Sequence, residues 1–578
     1  LGVGGTIRAA KFDDKFRPAH FEDNLTIRRS TLWSVPILVL LSMLAVGLCV
    51  STYPVFGNFW DEPEHLAAGL VLIDRGEYLY DDQHPPLARL AAALGPHLAG
   101  VHMPPDPNPI GEAQGRALLY DSAIPYDEVL TLARLGMLPF MLVLIGATWA
   151  WTRRWYGEPA ALLAVAFVVS TPVILGHAAV VALDVPVAAL IMLSLFLMLR
   201  WFEDPSIART IAFGLAVGLA VATKLSAVPF IGVAGLTLVT LRVLWRRARP
   251  LVARPGRRAW TFALACALAA LVMVGCYGPT LVYLTTPDHA PSKALDFLAG
   301  SAGPLHDLAY RWAARVPVPL GVQEVPLNFL GVEWHNEHGH LSFLLGHTAW
   351  NGWWYFYPVA LAVKIPLVLL VLGLAGLTLL AVRGARGADI YQLAPAASLL
   401  SILAFSCAYS HINIGVRHIL IAYPLLAMGA GVAVFEAWQR WPSAAARGVL
   451  IALLAWQFGT LISSYPDYLA FFNPLAGKHP EHIVVDSDMD WGGQDLRRLE
   501  HVLKANHVTQ LSIGYKGTAD LAREPLPPYS ALRPGQPVHG WVAITMLTLQ
   551  ENQAGYAWLR QYTPLQRVGQ SFDLYYIP

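Results

Sequence analysis

The stretch Trp60-Asp61-Glu62-Pro63-Glu64-His65 puts three carboxylates and an imidazole side by side. On a helix Asp61 and His65 share a face, being four residues apart. An aspartate held there can act as general base toward an incoming hydroxyl, with Glu62 beside it. The same residues also read as an ordinary helix start. Pro63 suits a first turn, Arg75-Gly76 supplies a stop, and Asp61 with Glu64 matches a capping arrangement. Further on comes His84-Pro85-Pro86-Leu87-Ala88-Arg89. The two prolines fix an extended backbone that could hold His84 in place, or simply stiffen the entry to a helix around 87–94.

What must position these residues follows from composition. The chain has 578 residues, 55% hydrophobic and only 14% charged, too few charges to coat a soluble surface. A net charge of +1 leaves no basic field for nucleic acid. Apolar stretches near bilayer length lie at 33–52, 132–151, 159–176, 180–199, 210–223, 227–244, 259–282, 357–382, 392–409, 418–438 and 447–465. That predicts about eleven transmembrane helices. Cys49, Cys266, Cys276 and Cys407 all fall in apolar stretches, which speaks against a disulfide framework or zinc module. The first apolar run follows a polar arm (1–32) and lacks a small-residue cleavage site, so it reads as an anchor.

Basic residues set the direction. Lys11, Lys15, Arg17, Arg28 and Arg29 precede the first span, and Arg153, Arg154, Arg200 and Arg209 flank the next connections of that parity. Arg242, Arg246, Arg247, Arg249, Arg254, Arg257 and Arg258 crowd one connection, and Arg383, Arg386, Arg440 and Arg447 complete the series. Every second connection is basic, which predicts a cytoplasmic N-terminus and an outer C-terminus. Three polar segments then gather outside the membrane: 53–131, 283–356 and the tail 466–578. Chemistry concentrates on loops held by a rigid scaffold. The tail reads as a small α/β domain, with strands at 483–485, 511–515, 541–545 and 572–577 and helices at 495–504 and near 556–562.

Asp184, Lys224, Lys364, Arg417 and His418 stand at or just inside the outer ends of spans. Ionisable groups at such depth are costly and usually functional, although the cations could instead snorkel to the interface. Asp184 would either orient a site or pair with one of these cations. Glu333, His335, His338 and His340 form a His-rich run able to bind a divalent ion, without zincin spacing; a polar loop near headgroups explains it equally. The series Asp486, Asp488, Asp490 fails the calcium-loop pattern, because Trp491 and Arg497 stand where Gly and Glu belong. Stacked carboxylates at a helix N-terminus are the better account.

An Asp-Glu pair after the first span, then a basic residue before Pro-Pro, resembles the protein O-mannosyltransferase and aminoarabinose-transferase superfamily, with its C-type glycosyltransferase fold. Its bacterial members are also resembled by Ala182-Leu183-Asp184-Val185-Pro186, Thr223-Lys224-Leu225-Ser226, Trp353-Trp354-Tyr355-Phe356 with Lys364-Ile365-Pro366, and Asn413-Ile414-Gly415-Val416-Arg417-His418. In the tail, Tyr468-Leu469-Ala470-Phe471-Phe472-Asn473 leads to the run Asp486 to Asp495. Together these motifs reach from about residue 33 to 500. The resemblance implies an inverting transfer of sugar from a polyprenyl-phosphate donor to an acceptor hydroxyl on the outer face of a bacterial inner membrane. The acceptor would be protein, lipid or cell-envelope glycan.

The leaving group would already be an anionic phosphate, so such an enzyme needs a base and cations, not a general acid. The resemblance makes Asp61, with Glu62, the base candidate. It gives Arg417, His418, Lys224, Lys364 and His84 to the donor phosphate, and Asp184 and His65 to orienting the site. Some relatives carry Lys where His84 stands, so that contact would strengthen as the ring protonates. No cofactor is demanded beyond the possible divalent ion, and no nucleic-acid partner is expected. A transporter or flippase is the rival reading, disfavoured by the lack of a repeated half and by polar residues gathered at one membrane face. A membrane anchor for the tail would leave the intramembrane cations unexplained.

Overall fold

The structure, a computed structural model, describes residues 24–244, 255–285 and 292–578. Lys11, Lys15, Arg17, Arg246, Arg247, Arg249 and Arg254 of the basic segments lie outside the described residues. The first helix, Asn24–Ser51, opens inside the arm that was expected to end at residue 32.

Among the described residues eight helices are long and apolar enough to cross a membrane, nine if the bent pair Glu158–Val169 and Pro172–Ala178 is one span. This is fewer than the eleven apolar stretches suggest, because by length and composition the bent pair, the short helix Ile207–Val221 and the helix Ala422–Arg440 fall outside the eight. Ile207–Val221 has only 15 residues. The stretch 357–382 divides into Phe356–Lys364 and Leu367–Gly387, because a residue before proline is held extended and Ile365 sits at φ −88°, ψ 131°. Thr171 before Pro172 does the same, at φ −96°, ψ 108°, and the chain bends there by 66°. The stretch 418–438 opens with a 3-10 turn, Val416–Ile419, before the helix Ala422–Arg440.

Asp184–Glu203 is the buried centre, packed by Leu138–Tyr156 and Ile207–Val221. Beside it Ala422–Arg440 lies between Leu367–Gly387 and Glu158–Val169. Glycine permits the first of these crossings: a Cβ on Gly376 would lie 1.8 Å from the carbonyl oxygen of Gly429.

Polar contacts sort the connections into two groups. Arg154 bonds Glu203 (2.9 Å), Tyr156 donates to the Tyr391 carbonyl (2.7 Å) and Arg383 bonds Glu436 (2.6 Å). These join basic connections to one another. The other segments meet among themselves: Asn328 donates to the Asp82 carbonyl (2.8 Å) and Tyr120 to Glu524 (2.6 Å).

The segment 53–131 is largely helical, with Glu62–Arg75, Leu87–Leu98, Gly111–Tyr120 and the start of Tyr126–Leu135. The segment 283–356, expected as a polar loop, contains Lys293–Ala299, Pro304–Ala313, Leu320–His338 and a hairpin of Ser342–Leu344 with His347–Ala349.

The tail holds a five-stranded mixed sheet. Its strands are β1 (Leu511–Gly514), β2 (Tyr529–Ala531), β3 (Gly540–Thr545), β4 (Gln566–Val568) and β5 (Phe572–Ile577), in the order β2-β1-β3-β5-β4. β1 runs parallel to β2 and β3, while β5 runs antiparallel to β3 and β4. The amphipathic helix is Leu496–Ala505. Residues 483–485 form no strand, and the expected helix near 556–562 is a 3-10 turn, Ala557–Gln561.

Candidate active site

Asp61 is the N-cap residue of the helix Glu62–Arg75, yet its side chain makes no capping hydrogen bond. Its carboxylate instead meets Arg417, with Oδ2 2.5 Å from Nη1. Arg417 stands on the 3-10 turn Val416–Ile419, reached through Gly415 at φ 75°, where a Cβ would lie 3.0 Å from the Asp486 carbonyl oxygen. The same Nη1 is 3.9 Å from Asp184, and Asp184 accepts a hydrogen bond from Lys224 at 2.6 Å. Asp184 begins the helix Asp184–Glu203, whose N-terminus favours a carboxylate. Two carboxylates and two cations therefore alternate in one chain of contacts. Trp491 from the tail covers the guanidinium, its ring centre 4.5 Å away. The Nε of Arg417 is buried with no hydrogen-bond partner.

Burial alone would raise the Asp61 carboxyl, but Arg417, through its charge and its hydrogen bond, holds it below the usual carboxylate range. It is ionised at neutral pH. His65, one turn along the same helix, is driven down to about 3, first by burial and then by Arg89, and stays a neutral ring.

Glu62 departs from expectation. It is buried and accepts from Arg134 Nε and Nη2 (both 2.8 Å) and from the backbone N–H groups of Phe59 and Val181 (both 2.8 Å). Its oxygens are spent on tying the 57–62 turn to the helix Tyr126–Leu135. Each of its two oxygens accepts two hydrogen bonds.

Comparison with known proteins bears on these facts. Residues 76–283 match the family model for dolichyl-phosphate-mannose-protein mannosyltransferase. The chain is a membrane glycosyltransferase. Its C-type fold is shared with the archaeal oligosaccharyltransferase AglB from Archaeoglobus fulgidus, solved with an inhibitory peptide and a dolichol-phosphate. That match has 11% identity and a TM-score of 0.50, covering 94% of this chain and 74% of the other. ArnT from Cupriavidus metallidurans, solved with undecaprenyl phosphate, aligns at 14% identity and TM-score 0.48 over 93% of this chain and 97% of its own. Comparison with curated proteins finds no match.

Around the Asp61–Arg417 pair the glycosyltransferase places its other basic groups unevenly. His418 adjoins Arg417 on the same turn, within electrostatic reach of Lys224 and Asp184. His84 stands next to His65, ring centres 6.0 Å apart, with its Nδ1 2.9 Å from Asp81. Asp81 is in turn gripped by the buried Arg89. Lys364 is elsewhere in purpose. Fully buried, it donates to the carbonyls of Leu469 (2.8 Å) and Asp488 (2.6 Å), binding the tail to the membrane helices. Its ammonium also lies 3.7 Å from Asp488 Oδ1.

The His-rich run is gathered only in part: His335 and His340 stand with ring centres 5.7 Å apart, while Glu333 and His338 engage other partners. Glu333 accepts from Tyr409, His335 meets Gln83 (2.7 Å), His338 lies against Trp334 with Nδ1 2.7 Å from that residue's carbonyl, and His340 faces Asp486 (3.8 Å). The tail's carboxylates are not stacked at one helix N-terminus either; Asp495 alone caps a helix, Leu496–Ala505, and its side chain makes no capping bond. Asp488 accepts from the Val416 N–H (3.2 Å), Asp490 from those of Gly493 (2.7 Å) and Leu547 (2.8 Å), and Asp495 from that of Ser571 (3.0 Å). Each cross-links a different loop.

Residues that sequence reasoning left out of the site come mostly from the tail. Trp491 roofs Arg417, Asp486 faces His340, and Lys516 lies 5.9 Å from the ring centre of Trp60. Trp491 and Asp486 belong to a motif the sequence offers plainly. Their inward direction is what only the folded tail reveals.

Proposed function

We propose that this glycosyltransferase moves a sugar from a polyprenyl-phosphate donor to an acceptor hydroxyl, with inversion, at the outer face of a bacterial inner membrane. The N-terminus would be cytoplasmic and the sheet-bearing tail outside. The observation that carries the reading is the 2.5 Å contact between Asp61 and Arg417, with Lys224 reached through Asp184. Base and phosphate-binding cation stand at one point, on the group of connections that lack the basic clusters. The shared fold with AglB, whose structure contains a dolichol-phosphate and a peptide, supports a lipid-phosphate donor and a separate acceptor.

The chemistry follows from the pairing. An arriving donor phosphate competes with Asp61 for Arg417, and Lys224, His418 and His84 border the same space. As the bond from anomeric carbon to phosphate oxygen lengthens, negative charge builds on that oxygen and the cations stabilise it. Asp61, released from its strongest stabilising partner, becomes a better base and takes the proton from the acceptor hydroxyl as it attacks from the opposite side. Inversion results, and the phosphate leaves without protonation.

The test uses purified protein and labelled polyprenyl-phosphate sugar, native against Asp61→Asn. Sugar transfer or donor hydrolysis is expected from the native chain, with a loss of about 10²- to 10⁴-fold in the variant. Movement of lipid or solute without bond cleavage would overturn the proposal in favour of a transporter.

A further inference from the structure

Away from the Asp61–Arg417 site, the C-terminal end of the helix Glu62–Arg75 carries a second convergence of ligating side chains. Asp74 Oδ1 lies 2.8 Å from His97 Nδ1 and 3.2 Å from His102 Nδ1. All three ligand atoms fall within 4.8 Å of one another. The two imidazoles stand edge to face, ring centres 4.8 Å apart and planes at 89°. Asp74 Oδ2 accepts from the Met103 N–H at 2.7 Å, which fixes the carboxylate and leaves Oδ1 turned to the two rings.

His102 Nδ1 is within hydrogen-bond reach of Asp74 Oδ1, but a second ordinary Asp–His hydrogen bond does not account for His97. His97 Nδ1 is buried and has no hydrogen-bond partner of acceptable geometry, despite its closeness to Asp74. A nitrogen facing an oxygen at that range, off the hydrogen-bond direction, is what two ligands of a shared cation look like. Around a tetrahedral zinc ion, with ligands about 2.0–2.1 Å away, neighbouring ligand atoms are about 3.3 Å apart. The Asp74–His102 separation is already close to this, the Asp74–His97 separation would open by about 0.5 Å, and the two imidazole nitrogens lie within 4.8 Å of each other. The one other convergent group among the described residues, His479, Glu481 and His482, is weaker, because Glu481 is committed to Arg567 at 3.3 Å.

We propose that Asp74, His97 and His102 form a divalent-cation site of the zinc class, with a fourth position open to water. The ion would tie the end of the helix Glu62–Arg75 to the last turn of Leu87–Leu98 and to the turn that follows it. Asp61 stands at the opposite end of the first helix, about 20 Å along its axis. The site is therefore remote from the proposed reaction, braces the helix that presents Asp61, and does not depend on that reaction.

The probe is zinc itself, with cobalt(II) as its spectroscopic substitute, added to the purified full chain after chelation. About one zinc per chain, a visible cobalt spectrum of four-coordinate character and a raised unfolding temperature are expected. The double variant His97→Gln, His102→Gln should bind at least about a hundredfold more weakly. Asp61→Asn should retain full binding, so failure of the reaction and failure of the metal site are distinguishable. Native protein that takes up no zinc, or a double variant that binds as well as the native chain, would overturn the proposal. Should the double variant not fold, the conservative Asp74→Asn offers the same comparison.

Discussion

Asp61 and Glu62 are adjacent carboxylates with different occupations. Glu62 accepts two hydrogen bonds from Arg134 and two from backbone N–H groups, all in a buried setting. Removing its carboxylate leaves a guanidinium buried without its counter-charge, which costs about 3–5 kcal/mol. Glu62→Ala should therefore lower the unfolding midpoint strongly and lose activity with the fold. Asp61→Asn leaves Arg417 beside Asp184, so its stability should change by about 1 kcal/mol or less while transfer is lost. Unfolding curves of both variants in detergent separate the two roles, and equal destabilisation would contradict them. The sequence made Asp61 the base candidate but gave Glu62 no separate occupation. Consecutive side chains on a helix diverge, and which one faces Arg417, 356 positions away, is decided by tertiary packing that no local pattern encodes. Lys364 was misread for the same reason: a cation near a membrane boundary looks alike whether it awaits a phosphate or binds two carbonyls.

Helices and their breaks were more legible, because local steric rules govern them. The extended residue before Pro172 and the one before Pro366 follow directly from the clash of a proline ring with an α-helical neighbour. An apolarity count passes over such breaks; the one at Pro172 bends a single stretch by 66° and decides between eight and nine helices of spanning length among the described residues. Glycine contacts between helices need the structure. At Gly376 a Cβ would meet the Gly429 backbone at 1.8 Å, whereas around Gly232 there is nothing within 4 Å. Gly376→Ala should force Leu367–Gly387 and Ala422–Arg440 apart, at a cost of about 1–3 kcal/mol or more. Gly232→Ala, inside Ala227–Leu244, should be neutral or gain up to about 1 kcal/mol. Unfolding midpoints of the pair test the crossing, and similar values for both would mean the helices can re-seat.

On the scale of the whole molecule, the rule that every second connection is basic is matched by contacts between loops far apart in sequence, since Arg154 meets Glu203 and Tyr120 meets Glu524. It could not indicate that the tail roofs the site, because that depends on buried polar cross-links within and beneath the sheet domain. Asp490 is one of them, accepting from the Gly493 and Leu547 N–H groups. Burial outweighs these two donors and pushes its carboxyl from 3.8 up to about 7. The folded chain then holds this proton more tightly than the unfolded chain does. Its stabilising contribution is complete below about pH 4 and is lost as pH rises through about 7. Glu64 is also raised to about 7, by burial and then by Asp81, so the native pH dependence is a sum over more than one group. Asp490→Asn isolates one component: it keeps an acceptor for one N–H and cannot ionise. The native unfolding midpoint should fall between pH 5 and pH 8 more steeply than that of the variant. Parallel curves would mean that Asp490 is already ionised in the folded tail, its two N–H donors outweighing burial.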